Sequence, residues 1–128
     1  MNYESIRSVM NQSGFTKKRE TKKLEEFQFA DNHVVYLYKD QALNGAVQVV
    51  VHPSIEETVF AGLAGVAGNQ RFPFRSGSNM IQFPKRQSST ASNPIPFGRS
   101  IQADSLDALG RLLRAVSSAS SASASTAV

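Results

Sequence analysis

Hydrophobic residues recur at helical spacing at both ends of the chain and alternate with polar residues in its middle. Near the start, Ile6, Val9 and Met10 form one apolar stripe, which predicts a helix over Tyr3–Asn11. Gly14, beside Asn11 and Ser13, supplies its stop, and Phe15 packs behind it. In LEEFQFA, Phe27 and Phe29 alternate with polar neighbours, the period of a half-buried strand. Val34–Tyr38 is a second strand, apolar on both faces and therefore central in its sheet. A third strand, Ala46–Val51, follows the Asn44-Gly45 turn signal and stops at His52-Pro53, because proline cannot donate to a ladder.

Beyond that point the pattern is broken. Ser54 and Glu57 match a capping box, which predicts a short helix to about Ala61, and the glycine-rich stretch Gly62–Asn69 reads as a flexible linker. Pro73, Pro84, Pro94 and Pro96 punctuate a turn-rich region in which Met80–Phe83 is a candidate fourth strand and Arg86–Asn93 a mobile loop. Leu106, Leu109, Leu112, Leu113 and Val116 then define a helix over Ser105–Val116, capped by Asp104. The Ser/Ala run Ser117–Val128 has nothing to bury and reads as a disordered tail. The expectation is one α+β domain over residues 1–116, a small antiparallel sheet of three to four strands flanked by an N-terminal and a C-terminal helix.

Gly14-Phe15-Thr16, the strand–loop–strand ending in His52-Pro53-Ser54-Ile55, the Phe83-Pro84 step and the Pro94–Ser100 entry into the leucine-spaced helix occur in a fixed order. This series resembles a YgaC-like family of small bacterial proteins across residues 14 to 115. The resemblance implies a compact bacterial α+β domain. It implies no activity.

Composition changes the picture in two ways. The 128 residues contain no cysteine, which excludes disulfides, thiolate metal sites and a cysteine nucleophile. No apolar run approaches the length of a bilayer span, and the N-terminal residues lack the pattern of a secretion signal, so the expected location is cytoplasmic. The formal net charge of +4 raises the prospect of an anionic partner.

Candidate chemistry follows from that charge. Lys17, Lys18, Arg19, Lys22 and Lys23 form the densest basic run, and Arg71, Arg75, Lys85, Arg86 and Arg99 extend the basic set into the loops. Such residues contact nucleic-acid phosphates without reading sequence. Phe72, Phe74, Phe83 and Phe97 lie among them, and aromatic rings stack on unpaired bases. The plainer reading is a lysine-protected sheet edge with the phenylalanines in the core. His52 at a strand end, near Glu56 and Glu57, is the candidate for acid–base or metal chemistry, against the plainer reading of a histidine bonded to its own turn. Asp40 with Glu56 and Glu57 is the loosest of the candidate metal sets. No cofactor motif is present: Gly62, Gly65 and Gly68 lack the strand, helix and Gly-Lys-Ser/Thr ending of a phosphate loop.

Three functional readings follow. The first is a non-catalytic binding module that recognises a protein or nucleic acid through basic loops. The second is a metal-dependent nuclease or phosphate-ester hydrolase using His52 with Glu56 or Glu57. The third is a mobile-element inhibitor of a host nuclease complex. An exposed edge strand also offers a route to a homodimer.

Overall fold

The computed structural model describes residues 2–29, 33–39, 46–68, 73–87 and 93–126, with side chains through Ser118. Helix α1 (Tyr3–Gln12) begins where the Asn2 side chain accepts the Ser5 N–H at 2.8 Å. It ends as expected: Gly14 adopts φ +90°, Phe15 N–H reaches the Met10 carbonyl, and Phe15 is buried in the same core as Met10.

The sheet is larger than expected. Among the described residues it has eight antiparallel strands, not three or four: β1 (Thr16–Glu20), β2 (Leu24–Phe29), β3 (His33–Tyr38), β4 (Val47–Val51), β5 (Val66–Gly68), β6 (Phe74–Ser76), β7 (Lys85–Arg86) and β8 (Ile95–Ala103). The main order is β1-β2-β3-β4-β8-β5, with β6 and β7 also paired to β8. Val35 faces Val51 and Leu37 faces Val49, so the valine-rich strands pair as their pattern predicts. The Asn44-Gly45 turn lies outside the described residues.

Of the strands that the sequence pattern misses, β8 is the longest. In β8 the period-two signal is present, but Pro96 and Gly98 obscure it, since both residues weaken a strand interior. Pro96 is tolerated because β8 changes partners around it. Phe97 N–H donates to the Pro84 carbonyl, while Gly77 N–H donates to the Pro96 carbonyl from the opposite edge. Met80–Phe83 is not a strand. Met80 N–H bonds to Gly77 and Phe83 N–H to Met80, two successive turns that bury Met80 and Phe83. The glycine-rich stretch is not a linker: Gly62 and Gly65 take positive φ in turns that lead into β5.

Two cores result. On one face Phe27, Val35, Leu37, Val49, Val51 and Ile101 pack against α1 and helix α2 (Leu106–Thr126). On the other, Leu24, Tyr36, Tyr38 and Val50 are covered by Met80 and Phe83 from the double turn. A polar cluster pins that turn to the sheet. Tyr36 Oη donates to Glu26 Oε1 at 2.8 Å and accepts the Gln82 N–H at 3.1 Å, while Arg19 donates to the Asn79 carbonyl.

Helix α2 departs from expectation at both ends. Its cap is Ser105, whose Oγ accepts the Ala108 N–H at 3.0 Å, one residue after Asp104. Its backbone continues to Thr126, ten residues past Val116, the last of the buried leucine-face positions. The Ser/Ala run contains no glycine or proline to stop it. Among the described residues no helix is long and apolar enough to cross a membrane.

Candidate nucleic-acid interface

Strand β8 has its two faces covered at opposite ends. On one face Ile101 and Ala103 are buried beneath α2, while Ile95, Phe97 and Arg99 emerge beyond it, half-buried. On the other face Pro96, Gly98 and Ser100 are buried. Gly98 is obligatory there, because a Cβ would lie 2.5 Å from Val50 Cγ1, 2.6 Å from the Val51 carbonyl oxygen and 2.7 Å from the Phe83 ring.

Antiparallel pairing brings two further side chains to the open patch. Phe74 is opposite Arg99, and Arg86 is opposite Ile95. The four groups interleave. The Phe74 and Phe97 rings are 5.8 Å apart and tilted by 65°. The Arg86 guanidinium lies 4.6 Å from the Phe97 centroid and 5.4 Å from that of Phe74, and the Arg99 guanidinium 4.7 Å from Phe74. Such contacts orient a guanidinium through the ring quadrupole and use none of its N–H donors. Arg99 Nε also donates to the Ile55 carbonyl at 2.7 Å, which fixes this side chain from below. Arg86 is exposed. No carboxylate pairs with Arg86 or Arg99 among the described residues.

The remaining basic residues do not join this patch. Lys17, Lys18 and Arg19 sit on β1, four strand spacings or roughly 19 Å from β8. Several of their charges are already balanced. Lys17 Nζ is 2.7 Å from Glu20 and 3.9 Å from the buried Glu25, and Arg19 Nε is 3.6 Å from Glu26. Lys17 and Lys39 together lower the Glu20 carboxyl to about 2. A register shift between Lys17 and Arg19 bulges this edge, and bulges and lysines both discourage edge-to-edge pairing. Lys22 and Lys23 lie in the β1–β2 turn. Arg75 and Lys85 alternate with Phe74 and Arg86 along their strands and so face the other side. Arg71 and Phe72 lie outside the described residues. Phe83 is buried and belongs to the core.

His52 is bonded to its own turn. Nδ1 accepts the Ser54 N–H at 3.1 Å and lies 2.7 Å from Ser54 Oγ, which places the neutral ring's proton on Nε2. The ring stands edge-on to Phe83, with centroids 5.6 Å apart. Desolvation there, and secondarily the charge of His33, lower its pKa. Because Ser54 serves His52, it caps no helix, and only a single 3₁₀ turn forms at Glu57–Val59. Glu56 and Glu57 are exposed and contact neither the imidazole nor a cation. Among the described residues no three potential metal ligands converge, and Asp40 lies outside them.

The platform residues of β8 were hidden in the sequence by the same proline and glycine that hid the strand. The alternation of Ile95, Phe97, Arg99 and Ile101 is the signal that finds them. No protein-family model matches the chain, and no curated protein matches it significantly.

Proposed function

We propose that this protein is a non-catalytic module that binds single-stranded nucleic acid on the open end of β8. The observation that supports this reading is the partly buried array of Phe74 and Phe97 with the guanidinium groups of Arg86 and Arg99. Aromatic rings and guanidinium planes on a sheet face stack unpaired bases, and the free N–H edges of the arginines meet phosphates. Both features sit beyond the reach of α2, where a strand of nucleic acid has access. Ring stacking and guanidinium–phosphate contacts do not read base edges, so binding through them is sequence-tolerant. The resemblance to a YgaC-like family adds a bacterial setting and no activity to this reading.

Fluorescence anisotropy of a labelled oligothymidylate tests it. Arg86 and Arg99 predict a slope of about −1.4 for log Kobs against log salt, at 0.7 per phosphate contact on a single strand. Duplex DNA of the same length binds more weakly, because its bases are not available to stack. Absence of binding at low salt, or preference for duplex, contradicts the reading.

A further inference from the structure

The outward face of α2 carries charges that the chain itself leaves unused. Asp107, Arg111, Arg114 and Ser118 recur at helical spacing, a stripe opposite the buried Leu109, Leu112, Leu113 and Val116. Asp107 and Arg114 are exposed. Among the described residues Asp107 has no cationic partner and Arg114 no carboxylate. Arg111, four residues on, is the helical neighbour suited to Asp107. Its Nε and Nη2 instead both donate to the Ala64 carbonyl, at 3.2 Å and 3.0 Å. Arg114 is seven residues from Asp107, roughly 10 Å along the axis, too far for the two to pair within one helix.

Between the two charges sits Gly110. Glycine weakens a helix interior more than any residue except proline. Packing within the chain does not require it: an added Cβ would lie 3.4 Å from Arg114 Nη1 and 3.9 Å from Val9 Cγ1, ordinary contacts. Its effect is to lower the surface midway between Asp107 and Arg114, on the floor of a cleft of about 370 Å³ shared by α1 and α2. A glycine in such a place lets a second backbone approach closely.

Opposite charges placed on either side of a low midpoint complement their own two-fold image. When two α2 helices cross antiparallel between Gly110 and Arg111, Asp107 of each stands level with Arg114 of the other, and both ion pairs form together. A parallel pair would set each charge against its like. In the single chain Arg114 Nη1 lies back over Gly110, so pairing needs only that this exposed side chain turn outward.

We propose that α2 docks on the α2 of a second copy of this chain, antiparallel about Gly110, and that the homodimer forms through this face. The β1 edge is the less suitable route, being bulged and lysine-bearing. The dimer is independent of nucleic-acid binding on β8.

Sedimentation equilibrium of the full chain at low salt, over a range of protein concentrations, provides the test. The wild-type mass is expected to climb with concentration toward that of two chains. Asp107→Arg and Arg114→Asp each set like charges opposite one another and are expected to weaken self-association at least about tenfold. Both positions are exposed, and circular dichroism checks that the fold is kept. An equimolar mixture of the two single variants is expected to regain most of the affinity as a heterodimer, because both contacts are then again of opposite sign. Asp107→Arg/Arg114→Asp in one chain is expected to regain it as a homodimer. A wild type that stays monomeric overturns the proposal and leaves the face to a different protein. A dimer that either single reversal leaves unchanged, or a mixture as weak as its components, overturns it as well.

Discussion

Arg7 of α1 grips the carboxylate of Glu25 on β2 along both edges, Nε to Oε1 at 2.8 Å and Nη2 to Oε2 at 2.5 Å. Glu25 is wholly buried while the Arg7 side chain keeps 38% of its exposure, so a partly wet cation neutralises a dry anion. This pair ties the first helix to the sheet. Without Arg7 the carboxylate retains, among the described residues, only Lys17 at 3.9 Å. Arg7→Ala is therefore expected to cost about 3 kcal/mol in urea unfolding, the range for stripping one partner from a buried pair. The double variant Arg7→Met/Glu25→Leu is expected to recover most of that loss. If the double variant is no better than the single one, the buried charge is not the cause.

The Tyr36 hydroxyl is buried between Glu26 and the Gln82 amide, and desolvation raises its pKa far above the ordinary tyrosine value. A raised pKa contributes stability that is present below about pH 10 and is lost as pH climbs beyond it, because the unfolded tyrosine ionises first. Tyr36→Phe leaves the buried Glu26 short of a donor and is expected to cost about 1–3 kcal/mol at pH 8. The variant's stability is also expected to fall less steeply above pH 10 than that of the wild type. Parallel slopes in denaturant titrations across this range would remove Tyr36 from the account.

For His52 the sign is reversed. Its pKa is lowered in the folded protein, so its contribution is present above about pH 6.5 and is lost as pH falls through the folded value. His52→Asn keeps an acceptor for the Ser54 N–H and has no charge to gain. Its stability is expected to decline less than that of the wild type between pH 7 and pH 5, as read by urea midpoints. An NMR titration placing the His52 pKa above the ordinary histidine value contradicts this.

Two glycines carry geometric demands of different kinds. At Gly98 the obstacle is space, with the Val51 carbonyl at 2.6 Å from an added Cβ. At Gly14 it is conformation, with φ +90° and the Phe29 ring 2.8 Å from an added Cβ. Gly98→Ala is expected to cost about 2–3 kcal/mol, since backbone cannot yield, and Gly14→Ala about 1–2 kcal/mol. Thermal midpoints unchanged in both would show that the sheet relaxes around either methyl.

The parts legible in the sequence were those where one local signal met no competitor. Gly14 stopped α1 because it had a positive φ to fill, and Val47, Val49 and Val51 announced a buried strand by their branching. The leucine stripe marked the buried face of α2 but not its cap, since Asp104 and Ser105 are both capping residues and tertiary placement chose between them. The capping box at Ser54–Glu57 misled for a related reason: the Ser54 hydroxyl went to His52. Strands β5, β6 and β7 are two or three residues long and exist only because β8 offers its edges, so no periodicity could reveal them. The candidate site shared that fate. Phe74, Arg86, Phe97 and Arg99 come from three strands, and only register makes them neighbours.

The most direct measurement compares two variants in the oligothymidylate titration. Phe74→Ala/Phe97→Ala removes the rings of the platform, while Lys18→Gln/Lys22→Gln removes as many cationic side chains as rings, at the distant edge and turn. The platform variant is expected to lose at least about tenfold in affinity, at 1–3 kcal/mol per stacked base, and the edge variant no more than about twofold. The opposite ranking, with both variants folded by circular dichroism, would mean that the strand binds the lysine edge and that the open end of β8 is not the interface.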